Sequence, residues 1–316
     1  MGRDLHRHLQ HRLKFRHLRV VDAILSHDSI LQAAKSLGLS QPALTKGLQE
    51  IEAVVDARLF ERHPKGVTAN AHGVIVGRSA RRILTEVNRL EDLLEALDGG
   101  DGGTVVVGAL PVTAAGLLPG ALARFQTNYP HIQVKVSQER TEALLAALTV
   151  REVDFVIGRL YEPARPDNFV REALYDETVA IMARASHPIF ERAAVGPEDL
   201  RDYNLILPTV TQRVGAEIDV FLAAIGIEAQ QPLRSSSVSM IREMLHATDC
   251  VAVAPQVMLI GDIVRGSVKT LPIGGPRRPR PAGLIRRSDA PLMRNASAFV
   301  ETFKSYVAEV HATLEV

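Results

Sequence analysis

Residues Ser29–Gly66 read SILQAAKSLGLSQPALTKGLQEIEAVVDARLFERHPKG, and the rest of the chain is organised around them. Ser29 is placed to N-cap ILQAAKSL, whose small Ala33 and Ala34 let another helix approach closely, and Gly38 supplies a turn. A second helix follows. Ser40 caps it, Pro42 sits in the first turn where amide hydrogens lack intrahelical partners, and Leu44, Leu48 and Ile51 form an inward stripe at helical spacing. Gln41, Ala43, Thr45, Lys46 and Gln49 fall off that stripe. Two short helices around a glycine describe a buried hairpin with a polar outer face. Taken alone they favour that hairpin, but they also suit a helix-turn-helix, whose second helix sets its N-terminal residues in the DNA major groove. In that case Gln41 can pair with adenine edges, Thr45 can reach a base or a phosphate, Ala43 can touch a thymine methyl and Lys46 can neutralise phosphate.

Charge tilts the same way. The whole chain is balanced, with 37 Lys+Arg against 36 Asp+Glu over 316 residues, yet residues 1–70 hold 11 Lys/Arg and 7 Asp/Glu. A basic end points to a polyanion. His6, His8 and His11 lie close together, but no Cys or carboxylate cluster of ligand spacing accompanies them, so they read as a solvated basic tail rather than a metal site. The segment from Arg12 to Ser26 has helical apolar spacing and reads as a supporting helix.

The ordered combination S-x-x-x-A-A-x-x-L, S-Q-P-A-L-T and R-L-F-E-R, carried by Ser29, Ala33, Ala34, Leu37, Ser40 to Thr45 and Leu59 to Arg62, resembles the LysR-type transcriptional regulators. The resemblance implies a winged helix-turn-helix with Ser29, Ser40, Gln41, Pro42, Ala43, Thr45, Lys46 and Gln49 at the DNA. It makes Leu59 to Asn70 a wing, anchored by Phe60 and turning Arg62, His63 and Lys65 to the DNA backbone or minor groove. This chain departs from the family pattern at Asp56, where glycine is usual, and at VTANAHG, where a Leu-Thr pair usually leads into the next helix.

Beyond Asn70, apolar or small residues recur at Val76, Ala80, Ile83, Val87, Leu90, Leu94 and Leu97, alternating steps of four and three. Such regularity is a coiled-coil seam and calls for a partner helix. The resemblance agrees, since this family dimerises through its linker helix, and two heads then read two half-sites of an approximate palindrome. DGGDGG at 98–103 breaks the helix; it follows a helix and precedes a strand, the reverse of a dinucleotide-binding loop, and reads as a hinge.

After the hinge, TVVVGAL, IQVKVS and VDFVIG alternate with helical patterns, and NLILP, CVAVAP and SVKTLPI repeat the theme, predicting parallel βαβ architecture in two lobes with a cleft between them. Ligands of such sheets sit beyond the carboxyl ends of strands, beside helix N-termini. Those positions hold Thr113, Thr141, Thr209 and Ser237, hydroxyls that suit a small carboxylate or polyol; each has an alternative role as a helix cap. Here too the chain resembles the family, through GALPVTAAGLLPGALARF, NYPHIQV, TEALLAAL and VDFVIGRL, which implies a periplasmic-binding-protein-like effector domain. The matched effector positions are Thr113, Thr141, Pro208 and Val238. Arg159 matches a family arginine that could hold a second anion or a structural ion pair. At ATDCVAVAP, Thr248 and Cys250 stand where the family commonly has glycine. VTANAHG and TEALLAAL look most like regulators of aromatic-acid and sugar-uptake operons.

No apolar run approaches the roughly 18 residues of a membrane span, and the N-terminus lacks a signal-type apolar stretch, so the cytoplasm is expected. The single cysteine, Cys250, lies in an apolar run and is expected to pack. There is no GxSxG elbow, Walker loop, HExxH or CxxC pair, and neither catalysis nor a metal or other cofactor is expected.

The expectation is an α/β multidomain protein: a winged helix-turn-helix at 1–70, a dimerising linker helix at 71–98 with Ile83, Val87, Leu90, Leu94 and Leu97 in its seam, a hinge at 99–103 and an effector domain at 104–316. Within the last, lobe I takes 104–175 and 276–316 and lobe II 176–275. Its partners would be promoter DNA, a small-molecule effector, itself as dimer or tetramer, and RNA polymerase. The rival reading is a small-molecule sensor whose N-terminal helices only mediate oligomerisation.

Overall fold

The computed structural model describes residues 9–27, 29–63, 66–97, 102–163, 166–209, 211–228, 231–276 and 280–314. His6, His8, Lys65 and the hinge residues 99–101 lie outside them, as do the side chains of Arg62 and Leu97. The chain forms two compact units, Met1–Gly100 with Thr149–Glu152, and Asp101–Leu148 with Val153–Val316. Among the described residues no helix is long and apolar enough to cross a membrane.

In the first unit, α1 (Phe15–Leu25), α2 (Ile30–Ser36) and α3 (Gln41–Val55) pack around Val21, Ala33, Ala34, Leu44 and Ile51, each at most 1% exposed. The caps are those the sequence indicates: the Ser29 hydroxyl accepts from Gln32 N at 3.2 Å and the Ser40 hydroxyl from Ala43 N at 3.3 Å. Gly38 takes the left-handed conformation that a turn between two helices needs (φ 65°). Helix α3 ends on Asp56, itself left-handed at φ 53°, ψ 38°, which gives a conformational reason for glycine at that position. Strands β1 (Phe60–His63) and β2 (Gly66–Ala69) pair antiparallel as a wing, and Phe60 is buried in the head's core. Asn70 then starts α4 (Ala71–Leu97): its Oδ1 accepts from Gly73 N at 3.0 Å while its Nδ2 donates to Arg58 O at 2.9 Å. One asparagine therefore caps the long helix and ties it to the wing.

Only part of the expected seven-point seam is open. Val76 packs against the head's core and Ala80 is fully buried, because the first turns of α4 lie against α1. Ile83, Leu90 and Leu94 are exposed at 43%, 53% and 53%, and Val87 is half-buried.

The second unit holds two five-stranded sheets. Lobe I has the order β4-β3-β5-β12-β6, with β3 (Thr104–Ala109), β4 (Gln133–Gln138), β5 (Phe155–Arg159), β6 (Phe169–Asp176) and β12 (Pro281–Arg287). Lobe II has the order β11-β7-β10-β8-β9, from β7 (Val179–Arg184), β8 (Leu205–Pro208), β9 (Leu233–Ser235), β10 (Val251–Pro255) and β11 (Val268–Thr270). The expected parallel βαβ pairing is present in both sheets, and each also carries antiparallel strands. β3 is parallel to β4 and β5, and β8 to β9 and β10, but β12 runs antiparallel to β5 and β6, and β7 antiparallel to β10 and β11. Helical crossovers enforce parallel pairing. The antiparallel pairs all involve strands by which the chain enters or leaves a lobe.

Helices α5 (Pro111–Ala115), α6 (Leu117–Asn128), α7 (Thr141–Thr149), α8 (Gln212–Ala224), α9 (Val238–Ala247), α10 (Ile260–Val264) and α11 (Arg294–Leu314) flank the sheets. The largest apolar cluster joins Phe125, Phe155, Phe299 and Phe303 of lobe I to Met182, Ile206 and Ile241 of lobe II. Cys250 is buried within it. Thr248 is extended (φ −140°, ψ 175°), and its hydroxyl donates to Met244 O and accepts from Cys250 N, so this turn needs no glycine.

Candidate functional site

Helix α3 presents its inward stripe at 0% (Leu44), 4% (Leu48) and 0% (Ile51) exposure, while Gln41, Pro42, Ala43, Lys46 and Gln49 are exposed and Thr45 half-buried. The helix is held from behind. Glu50 accepts from Arg16 Nη2 at 2.7 Å and lies 3.1 Å from Nε2 of buried His17, tying α3 to α1. The hydrogen bonds from His17 and then Arg16 hold the Glu50 carboxyl below its usual range. Glu52 Oε1 accepts from Leu59 N at 2.8 Å and fixes the start of the wing. Thus the two carboxylates of α3 act inside the head, and the face around Gln41 and Lys46 carries none. Ser29 is half-buried and, with Ser40, serves a helix cap; His63 is exposed on the wing.

In the second unit, a cavity of about 520 Å³ opens between the ends of strands from both lobes. Pro111, Ala115, Gln138, Glu139 and Arg140 line it from lobe I, and Ser236 to Ser239 and Arg242 from lobe II. Of the expected effector residues, Ser237 and Val238 line this space. Ser237 also caps α9, accepting from Met240 N at 3.2 Å. Thr141, half-buried, follows directly on Arg140 as the first residue of α7.

Thr113 does not fit the expectation of a ligand-facing hydroxyl. It is 0% exposed and its Oγ1 lies 2.9 Å from the Tyr175 hydroxyl, so it closes the core under the cavity. Burial pushes the Tyr175 phenol well above its usual range. Pro208 is buried, and exposed Thr209 donates its backbone N–H to Ser235 O at 2.8 Å; neither lines the cavity.

Arg159 is a structural residue. Its Nε and Nη2 donate to Glu177 at 3.0 and 2.7 Å, its Nη1 donates to Glu217 at 2.6 Å, and both Arg159 and Glu177 are almost fully buried. Burial works against the arginine's charge, but the Glu177 carboxylate and the hydrogen bond to Glu217 keep it firmly protonated.

Sequence reading missed Arg140 and Arg242 as cavity residues. Arg140 directly precedes Thr141, one of the strand-end hydroxyls, and its own place at the strand end is the signal that points to it. Arg242 lies four residues beyond Val238 on one helix, which places both on the same face. Among the described residues no His, Cys, Asp and Glu group could hold a metal ion.

Known proteins share both parts. Residues 15–74 match the bacterial regulatory helix-turn-helix proteins of the lysR family, and residues 98–308 the LysR substrate binding domain. The HTH-type transcriptional regulator PcaQ of Agrobacterium fabrum is 29% identical over 301 residues, covering 95% of this chain and 96% of its own. The HTH-type transcriptional regulator GalR of Pseudomonas putida is 28% identical over 295 residues, 93% of this chain and 74% of that one. In fold, the chain is similar to CbnR, a LysR family transcriptional regulator, with TM-score 0.67 and 22% identity over 93% of this chain and 99% of CbnR. A helix-turn-helix head joined to an effector-binding domain makes a DNA-binding regulator rather than an enzyme, and this chain belongs to the LysR family of transcriptional regulators.

Proposed function

We propose that the protein is a dimeric regulator that reads an approximately palindromic promoter site with Gln41, Ala43, Thr45, Lys46 and Gln49, and that a small effector bound between its lobes sets its output. The observation that carries this reading is the face of α3: polar, open to solvent and free of carboxylates, above a fully packed stripe. Residues 1–70 are the head, 71–98 the dimerising helix, 99–103 the hinge and 104–316 the effector domain. Lobe I of that domain takes 104–175 and 276–316, and lobe II takes 176–275. Exposed Ile83, Leu90 and Leu94 support a partner helix, since apolar residues at heptad-like intervals on an open face gain by burial against a second copy. A dimer is the minimum; tetramers, contact with RNA polymerase and action in the cytoplasm belong to the same reading.

The cavity formed by Gln138 to Arg140, Ser236 to Ser239 and Arg242 supports the effector role, because a ligand there touches both lobes. Its binding shifts the protein between two states only if it favours one of them. The test is a mobility shift of the full-length protein on its own promoter region at rising salt. A specific complex is expected near physiological salt, and Gln41→Ala is expected to relax discrimination at one base position by about 1–3 kcal/mol. Absence of a specific complex sinks the DNA-reading role; retained specificity in Gln41→Ala moves base reading to other residues.

A further inference from the structure

The cavity between the lobes is lined by two guanidinium groups from opposite sides, Arg140 of lobe I and Arg242 of lobe II. Arg140 is exposed and makes no ion pair among the described residues. Arg242 is held differently. Its Nε donates to Asp262 Oδ2 at 2.8 Å, and Asp262, buried at 3% side-chain exposure, also accepts from Arg265 Nη2 at 2.8 Å. Two arginines thus share one carboxylate, leaving a unit of positive charge in the group. The outer edge of Arg242 is lightly engaged: Nη2 donates to Ala115 O of lobe I at 3.4 Å, and Nη1 makes no hydrogen bond among the described residues. An arginine fixed through Nε presents Nη1 and Nη2 as a planar pair of donors, the geometry that takes both oxygens of a carboxylate or phosphate. The start of α9 and the hydroxyls of Ser236 and Ser239 line the same space, and Glu139 supplies the one carboxylate there.

We propose that Arg242, positioned by Asp262, and Arg140 are the specificity residues of the cavity, and that its effector is a small molecule bearing a carboxylate or phosphate that exchanges the Ala115 carbonyl for its own oxygens at Arg242. This rests on the reading of the cavity as the effector site. Because the anion takes the place of the lobe I carbonyl at Arg242, the same exchange links ligand charge to the contact between lobes.

The experiment measures thermal shifts of the full-length protein at matched ionic strength with benzoate, glutarate and glucose 6-phosphate, each beside its neutral counterpart benzamide, glutaramide or glucose. At least one anion is expected to give a saturable rise in melting temperature that its neutral counterpart lacks, and the acid that succeeds tells carboxylate from phosphate. Arg242→Gln is expected to weaken that binding about tenfold or more, Arg140→Gln to weaken it measurably, and Arg242→Lys to restore part of it. A cooperative melting transition without ligand reports that each variant is folded. The proposal is overturned if none of the anions gives a saturable shift, if a neutral counterpart binds as well as its acid, or if Arg242→Gln binds as wild type does. Ser236→Trp, a bulky change at a lining residue that removes neither arginine, separates the two readings. Loss of the shift in Ser236→Trp with retention in Arg242→Gln defeats this proposal alone; retention in Ser236→Trp defeats the cavity as the effector site.

Discussion

Arg159 grips Glu177 with two nitrogens of one guanidinium, at 3.0 and 2.7 Å, where the chain passes from the first lobe to the second. The pair is buried and Glu217 of α8 shares the arginine, so removing Arg159 strands the buried Glu177 carboxylate. Arg159→Met is expected to destabilise the effector unit by about 3–5 kcal/mol, and the double variant Arg159→Met, Glu177→Gln by less. Urea denaturation checks it. Stability unchanged in Arg159→Met, with ligand binding lost, would make Arg159 a ligand residue after all.

Asp262 sets a pH dependence. Burial opposes its charge, but the hydrogen bonds from Arg242 and Arg265 outweigh burial and hold its carboxyl below the ordinary 3.8. A depressed carboxyl contributes stability that is present above the unfolded-state value and disappears as pH falls through the folded one. Asp262→Asn is therefore expected to cost about 1–3 kcal/mol at pH 7. The difference from wild type should persist down to 3.8 and shrink only below it. A gap that closes between pH 7 and 5 would contradict the assignment.

Gly73 lies where α4 passes the wing, and a Cβ there would stand 2.1 Å from the Leu59 carbonyl oxygen. Backbone cannot yield as a side chain does. Gly73→Ala is expected to cost the head about 1–3 kcal/mol and to weaken promoter binding through the displaced wing. Equal melting temperatures for the two proteins would refute it.

Asp56 makes the opposite case. It closes α3 in a left-handed conformation that glycine adopts without penalty, so Asp56→Gly is expected to stabilise the head by about 0.5–1 kcal/mol. Chemical denaturation of the head gives the sign directly.

Leu90 is 53% exposed on α4. Leu90→Lys is expected to lower the apparent mass in analytical ultracentrifugation and to weaken promoter binding together, leaving the melting of the head unchanged. An unaltered mass would move the partner surface off this face.

Much of the head was legible because its signals are local. Ser29, Gly38 and Ser40 each act within a few residues of themselves, as cap or turn, and the stripe of Leu44, Leu48 and Ile51 follows from helical period alone. The start of the seam was misread for the converse reason: Ala80 fits a heptad as well as any residue, but whether it faces a partner or α1 depends on tertiary packing. The same limit applies in the effector unit. Thr113 stands at a strand end as the rule for open sheets suggests, yet the Tyr175 hydroxyl, 62 residues away, takes it into the core. Strand direction was lost where the chain changes lobes, since apolar patterns in β7 and β12 carry no arrow. Arg242 was visible only as one more arginine until Asp262, 20 residues on, fixed it at the cavity.

The pairing of Asp176 with Pro281 places side by side the points at which the chain leaves lobe I and comes back to it. The two crossings between the lobes are therefore neighbours in one sheet, while the apolar cluster that runs from Phe125 and Phe155 to Met182 and Ile241 joins the lobes beside them. A rotation of one lobe on the other would have to shear that shared cluster, so packing, rather than the connecting strands, sets its resistance.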